Sequence, residues 1–373
     1  MTANLLILGA GGIGAAAAAF AAESPFVASL RIADLSFAAA EAVATSIGRD
    51  SQALAVDVTD AEALSALFGT VDAVINCVGP YYRFGPPVLA AAIAAGITYI
   101  DVCDDWDATL AMLGQREAAA ARGVTAIIGM GASPGTANLI ASHVARLVIN
   151  PRVLVTGWSL DDDPGDPGGA ANEHWLHQAT GQIRVWRHGQ PVDEAPLQDF
   201  EVALPGFPPR RALTIGHPEA ITLPRVFSGL ETCLNVMTLP GGLENLLTRA
   251  VALVRDDGMS FRDAGLAAFA DYVPGAGPHL PEYPGVWALA ENDTQRAAAW
   301  IPDYGRLEDI YTVTAAPTIA AFNLLMACAP APVGVLTPEE AFDPSAYFAE
   351  LGRLAGVSGN YVQTVIEGAD NAH

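Results

Sequence analysis

The sequence predicts an α/β protein, a doubly wound parallel sheet followed by a second domain of α+β texture. Three observations carry this. From Leu5 to Gly129, short apolar runs alternate with alanine-rich helical stretches, and continuous apolar runs are what a parallel sheet covered on both faces requires. A glycine-rich turn, Gly9-Ala-Gly11-Gly-Ile-Gly14, stands between the first run and the first helical stretch. After Ser133-Pro134-Gly135 the texture changes to longer loops and alternating strands. The length of 373 residues suits two domains, and such a chain buries a sizeable core without disulfide or metal staples.

Taken in order, the expected strands are Leu5–Leu8, Ser29–Ala33, Gln52–Val58, Ala73–Val78, Thr98–Val102 and Val124–Gly129. Helices are expected at Gly12–Ala22, Ala38–Ile47, Ala61–Phe68, Pro87–Ala95 and Thr109–Ala121, the third announced by Thr59-x-x-Glu62 in a capping-box pattern. Ser133 as N-cap and Pro134 at the first helical position predict a helix over Pro134–Val148. A strand at Val153–Leu160, an acidic loop at Asp161–Gly169, a short helix around Glu173–His177 and a hairpin turning at His188-Gly189 follow. Pro- and Gly-rich connections recur at Leu204–Pro209 and Tyr272–Gly285. In the tail, Thr337-Pro338-Glu339-Glu340 and Asp343-Pro344 each combine a cap with a proline. The domain reading is 1–132 for the parallel sheet, 133–330 for a substrate and dimerisation domain, and 331–373 for the tail.

Composition narrows the function. The net charge of −23 argues against nucleic acid, whose phosphates need a positive counter-surface, and against an anionic membrane. Cys77, Cys103, Cys233 and Cys328 fit no metal spacing and read as reduced thiols, so no metal is expected. The apolar N-terminus lacks the basic residues of a secretory signal. Ala315–Leu336 is long and uncharged but broken by Pro317, Pro330 and Pro332, so it reads as a buried helix and loop. The expectation is a soluble cytoplasmic chain.

The glycine turn has its own chemistry. In a strand–turn–helix unit Gly9 makes the tight turn, Gly11 lets backbone approach a diphosphate, and Gly14 lets helix pack on strand, with Gly12 and Ile13 opening the helix at the anion. Asp34 ends the second strand, twenty residues after Gly14, where a carboxylate accepts from adenosine ribose hydroxyls. No Arg or Lys follows it to receive a 2′-phosphate, which favours NAD over NADP, although Arg31 lies just before. Asp57 either reaches the adenine or caps a loop. Asn76, Val78, Gly79 and Pro80 end the fourth strand, on the edge where open α/β sheets bind ligands.

Ile75-Asn-Cys-Val-Gly-Pro-Tyr81, Gly85-Pro-Pro-Val-Leu89, Ala95-Gly96-Ile-Thr-Tyr-Ile-Asp101 and Gly131-x-x-Pro134-Gly135-x-x-Asn138 resemble the saccharopine dehydrogenase-like family. Looser fragments lie at Gly216-His217-Pro218-Glu219 and Gly334-Val-Leu-x-Pro-Glu339. The resemblance implies a Rossmann domain to which the tail returns, and hydride transfer between a nicotinamide ring and a carbon–nitrogen bond of an amino acid or polyamine derivative. It maps the cofactor onto Gly9, Gly11, Gly14, Asp34, Asn76, Val78, Gly79 and Pro80. Glu173–Gln178 departs from the pattern of saccharopine reductase itself, which leaves the substrate open.

Candidates for the rest of the chemistry follow from what imine reduction needs: a positioned substrate, a proton source and complementary charge. Asp101, Asp104 and Asp105 follow the fifth strand and either hold a substrate nitrogen or cap the next helix. Tyr81 and Tyr82 either donate a hydrogen bond or pack. His174 and His177, three apart, share one helix face and read as a proton donor and its neighbour, as two metal ligands with no convincing third nearby, or as makers of an interdomain hydrogen bond. Arg184, Arg187, Arg210, Arg211 and Arg225 compete to clamp a substrate carboxylate, with Arg184 favoured. A homodimer binding a small amino-acid-like substrate completes the expectation. Its rivals are a dinucleotide sensor without catalysis and a reductase of C=O or C=C bonds.

Overall fold

Six apolar runs become strands because nothing else hides them: Leu5, Leu6, Ile7, Leu8, Val74 and Ile75 are completely inaccessible to solvent. The computed structural model describes residues 2–48, 51–160, 169–270, 272–273, 283–328 and 330–368. The chain runs β1 (Ala3–Leu8), α1 (Gly12–Glu23), β2 (Val27–Asp34), α2 (Phe37–Ile47), β3 (Ser51–Ala55), α3 (Ala61–Phe68), β4 (Ala73–Asn76), α4 (Tyr81–Ala95), β5 (Thr98–Asp101), α5 (Trp106–Leu113), α6 (Arg116–Ala121), β6 (Thr125–Ile127) and α7 (Thr136–Ala145). It continues with β7 (Val153–Ser159), α8 (Ala170–Ala179), β8 (Ile183–Arg187), β9 (Gln190–Glu194), β10 (Asp199–Val202), β11 (Arg210–Thr214), α9 (Glu219–Val226), β12 (Thr232–Thr238), α10 (Gly241–Asp257), α11 (Phe261–Phe269), β13 (Val286–Glu291) and β14 (Arg296–Trp300). Last come α12 (Ile310–Ala327), β15 (Gly334–Leu336), α13 (Pro338–Ala341), α14 (Pro344–Ala355) and β16 (Gln363–Glu367).

Two compact units result. The first comprises Met1–Leu139 and Asp303–Tyr361, the second Ile140–Pro302 and Val362–His373. The sequence reading sets these changes at 133 and 331. The chain in fact leaves the first unit inside α7 and returns at Asp303, ahead of α12.

The first unit is a parallel sheet in the order β15-β6-β5-β4-β1-β2-β3. The strand order reverses between β1 and β4, and their C-terminal ends frame the crevice where such sheets bind ligands. Leu6, Leu8, Val74 and Tyr99 from the strands pack with Phe68, Val88 and Leu89 from the helices. α12 is long and apolar enough to cross a membrane by composition, but most of its length is buried inside this unit, and Pro317 sits within it without ending it.

Local signals account for most boundaries and fail at three, while α3 spans Ala61–Phe68 as expected but on a different cap. α3 is capped by Asp60, which accepts from Glu62 N and Ala63 N, because Thr59 is already engaged with Asp57. α4 begins at Tyr81 and carries Pro86 and Pro87 inside its first turns, earlier than the expected Pro87. The single helix expected over Thr109–Ala121 is two, divided at Gly114. The helix expected at Pro134 starts at Thr136, since Gly135 N donates to Asn138 Oδ1 and Gly131 N to Pro134 O in a tight preceding loop. Both tail caps form as expected: a capping box between Thr337 and Glu340, and Asp343 accepting from Ser345 N and Ala346 N.

The second unit is a mixed sheet in the order β10-β11-β12-β7-β13-β14-β16, with the hairpin β8–β9 pairing to β12. His188 and Gly189, both at positive φ, make its two-residue turn. Alternation sorts the strands into two cores: Leu213 and Met237 face α8, α10 and α11, while Ala212 and Val236 face the opposite side with Trp287 and Trp300. The acidic loop at 161–168 lies outside the described residues.

Gly157 stands opposite Trp287 in register, and a methyl group built on it would lie 2.0 Å from the indole ring. Gly157→Ala is therefore expected to overpack this core and lower the unfolding free energy by about 3 kcal/mol, measured by urea denaturation.

Candidate functional site

The glycine turn of the first unit is built by steric exclusion. Gly9 sits at φ +98°, and a side chain there would press on the Cys77 backbone at 3.0 Å. A methyl on Gly14 would lie 1.9 Å from Gly9 O, so only glycine lets α1 rest on the turn. Gly11, by contrast, has nothing within 4 Å of where its side chain would be. It is the N-cap of α1, with no side-chain cap and no acidic residue in the first turn. Bare N–H groups, a positive helix end and open space above Gly11 fit a diphosphate.

Asp34 is tied into the same turn. Its Oδ2 accepts from Ala10 N and its Oδ1 from Ser36 N, each at 2.8 Å. The carboxylate is thereby held at the end of β2, half-buried, beside exposed Leu35. Arg31 is engaged elsewhere, bonding the Thr70 carbonyl and hydroxyl in the loop before β4. Asp57 Oδ1 accepts both the amide and the hydroxyl of Thr59, which lower its pKa and make it a turn-forming group.

Along the sheet's C-terminal edge, several predicted site residues prove to be structural. Asn76 Oδ1 accepts from Val78 N (3.1 Å) and its Nδ2 donates to Tyr99 Oη (3.1 Å). Tyr99 in turn donates to Asp101 Oδ2 (2.8 Å), whose Oδ1 accepts from Gly129 N (2.7 Å) and Cys103 N (3.0 Å). Asp101 is wholly buried, and burial pushes its carboxyl up to about 6 against those three bonds. It joins the ends of β5 and β6 rather than a substrate. The Tyr81 hydroxyl donates to Asn76 O at 2.8 Å, and burial raises its pKa well above the usual value. Asp105 is the N-cap residue of α5, yet its Oδ2 accepts from Tyr82 N on α4 at 2.7 Å. Of the three aspartates only Asp104 remains half-exposed.

The Pro134–Asn138 block and the looser fragment ending at Glu339 acquire a reason here. Asn138 Nδ2 donates to Glu339 Oε2 at 2.9 Å, and Thr136 Oγ1 meets Tyr347 Oη at 2.7 Å. These bonds fasten the Pro134-Gly135 loop to the returning tail, within the first unit.

In the second unit the histidines divide differently from the sequence expectation. His177 packs edge-on against Phe261, with ring centroids 5.9 Å apart. His174 instead meets His217, Nε2 to Nε2 at 3.3 Å, both rings being buried. His217 stacks on Trp158, and its Nδ1 lies 3.7 Å from Glu219 Oε2. The indole N–H of Trp158 only donates, so it orients Asn235: Oδ1 accepts from the indole (3.1 Å), and Nδ2 donates to Glu219 Oε1 (3.0 Å) and Thr156 Oγ1 (2.9 Å). Sequence singled out His174 and His217 separately; Trp158 and Asn235 carried no motif. Their one legible signal was that polar side chains stood in otherwise apolar strands.

The arginine expected to clamp a carboxylate is engaged on its own hairpin. Arg184 forms a two-bonded pair with Asp193 (2.7 and 2.9 Å), as Arg187 does with Glu194. Arg211 binds Asp199 and Glu244, Arg210 stacks over Tyr283 at 4.4 Å, and Arg225 is exposed.

Comparison with known proteins agrees with the resemblance. Residues 5–127 match the family model described as the saccharopine dehydrogenase NADP binding domain. The fold is similar to that of apo saccharopine dehydrogenase (L-Glu forming) from Saccharomyces cerevisiae, at 16% identity and a TM-score of 0.64, covering 98% of this chain and 99% of that one. It is also similar to the homospermidine synthase of Legionella pneumophila in complex with NAD, at 12% identity and a TM-score of 0.62, covering 98% and 92%. At these identities the likeness is one of fold.

The Asp101 network yields a pH signature. Its folded pKa of about 6 exceeds the ordinary carboxylate value, so the folded chain binds one more proton at this group between about pH 4 and 6. Its contribution is full below about pH 4 and is lost as pH rises through about 6. Relative to Asp101→Asn, the native chain should lose roughly 2–3 kcal/mol of stability across that window, measured by denaturant titration at several pH values. A difference that does not vary with pH contradicts the assignment.

Proposed function

We propose, from a first unit of the saccharopine dehydrogenase NADP-binding type, that the chain is an NAD-preferring oxidoreductase acting on a carbon–nitrogen bond of a small amino-acid-like substrate. The observation that carries the cofactor half is the glycine turn closed by Asp34, open only above Gly11. The bound dinucleotide supplies hydride exchange at its nicotinamide; every other requirement falls to side chains of this chain. Asp34 favours the unphosphorylated ribose, since a 2′-phosphate would meet a carboxylate anchored at 2.8 Å to Ala10 N and Ser36 N, and Arg31 is directed to Thr70.

The proton belongs to the His174–His217–Glu219 row. Two imidazole nitrogens facing each other at 3.3 Å need one hydrogen between them, because two would clash and none would oppose lone pairs. Glu219 Oε2 lies 3.7 Å from Nδ1 on the far side of His217, so the row runs on from His174 through His217 to a carboxylate. Such a row holds and passes single protons, which hydride transfer at an imine consumes one for one. Asp104, half-exposed just after β5, is the carboxylate we assign to complement a substrate nitrogen. The carbon–nitrogen assignment rests on the sequence blocks around Gly79–Tyr81 and Pro134–Asn138.

Two measurements test this reading. Fluorescence titration should give NADH at least about tenfold tighter than NADPH, and Asp34→Ser should narrow that gap; equal or reversed affinities overturn the NAD preference. Turnover screened with amino acids and with 2-oxo acid–amine pairs should then find a substrate. On it His217→Gln should lower kcat about 10²-fold with the NADH affinity unchanged. Tight NADH binding with no turnover across the panel favours the sensor instead.

A further inference from the structure

We infer that Tyr311, nearly three hundred residues from the glycine turn, is the outer wall of the diphosphate site and the reason that position 12 is glycine. The inference rests on the reading of that turn as a dinucleotide site. A methyl group built on Gly12 would lie 2.5 Å from Tyr311 Cδ1 and Cε1 and 2.8 Å from Cγ. The aromatic ring therefore lies directly on the first turn of α1. The next residue back, Gly11, has its side-chain direction open, with nothing within 4 Å. The ring bounds the phosphate cradle on one side without filling it.

The placement is built, not incidental. Tyr311 occupies the first turn of α12, whose start is set by a capping box: Asp309 Oδ1 accepts from Thr312 N at 2.7 Å, and Asp309 N donates to Thr312 Oγ1 at 3.2 Å. Three further contacts hold this segment against α1 and its C-terminal end. Arg306 pairs with Glu23 through two bonds of 3.0 and 2.6 Å and lies 5.0 Å over the Phe20 ring, while the Ser24 hydroxyl donates to Asn323 Oδ1 at 2.6 Å. The helix that presents the phosphate-binding N–H groups and the helix that presents Tyr311 are thus one rigid pair. Tyr311 itself is 39% exposed, beside Ile310 at 53%.

A ring in that position removes water from one flank of a bound diphosphate. Excluding water strengthens the attraction between phosphate oxygens and the N–H groups of α1, since charges interact more strongly at lower local dielectric. The same geometry explains the extra glycine: the fingerprint demands glycine at 9, 11 and 14, whereas at 12 the demand comes from the ring.

The test is a double-mutant cycle on the full chain, read as the dissociation constant for NADH by fluorescence quenching, with thermal midpoints as the folding control. Tyr311→Ala, at a partly exposed position, should weaken NADH about tenfold. Gly12→Ala should weaken it at least as much, by displacing the ring into the cradle. Because both changes act through one contact, Gly12→Ala/Tyr311→Ala should bind about as well as Tyr311→Ala alone, a strongly non-additive result. Wild-type affinity in Tyr311→Ala, or additive losses in the double variant, overturns the inference. If the unaltered chain binds neither NADH nor NADPH, the dinucleotide reading itself fails, and the inference falls with it.

Discussion

The structure of the first unit depends on one buried carboxylate. Asp101 accepts three hydrogen bonds, from Tyr99, Cys103 and Gly129, and Tyr99 carries the chain onward to Asn76 and so to the turn at Val78. These bonds tie the C-terminal ends of β4, β5 and β6 to one another at the edge where backbone must leave the sheet and stop being self-satisfied. A buried backbone N–H without a partner is costly, and the carboxylate supplies partners to two of them at once. The cost of burying it shows as a raised pKa. The crevice above β1 and β4 is consequently rigid on the β5 side, and the groups that frame it are settled before any ligand arrives.

That rigidity changes which residues are available for chemistry. Tyr81, Asn76 and Asp101 look functional in sequence because they are polar and stand at strand ends, yet all three point their polar atoms back into the scaffold, and Asp105 Oδ2 accepts from Tyr82 N. Arg184 offers a parallel lesson in the second unit, its guanidinium closed on Asp193 across the hairpin. Polar type and strand-end position mark both scaffold and site, and only the partner of each atom tells them apart. The same criterion draws attention to half-buried Trp158 and to buried Asn235, His217 and Glu219, which form a continuous row ending at His174. A row of this kind is expensive to bury unless its members satisfy one another, and here the fixed donor of Trp158 orients the amide beyond it.

Long-range closure is the second theme. The residues from 303 onward add β15 to the edge of the parallel sheet, lock Glu339 to Asn138, and lay α12 along α1. Each of these joins segments two or three hundred residues apart. The sheet and its glycine turn are local in sequence, whereas the walls around them are not.

What the sequence determined by itself was therefore everything set by short-range physics. The period of apolar residues placed the strands to within a few positions. Caps such as Thr337 and Asp343 placed helix starts, and the spacing from Gly9 to Gly14 placed the glycine turn between β1 and α1, because steric exclusion at a strand–helix junction is read from residue type alone. It misplaced the start of α7, where the preceding loop's own hydrogen bonds decide, and the return of the chain at Asp303, which is set by contacts far apart in sequence. Tertiary structure alone decided which polar atom faces which: that His174 pairs with His217 rather than with His177, that Asp101 serves the backbone, and that Tyr311 covers Gly12. Hydrogen bonds and ring contacts are short-ranged in space but blind to separation along the chain, so only the folded coordinates can assign them.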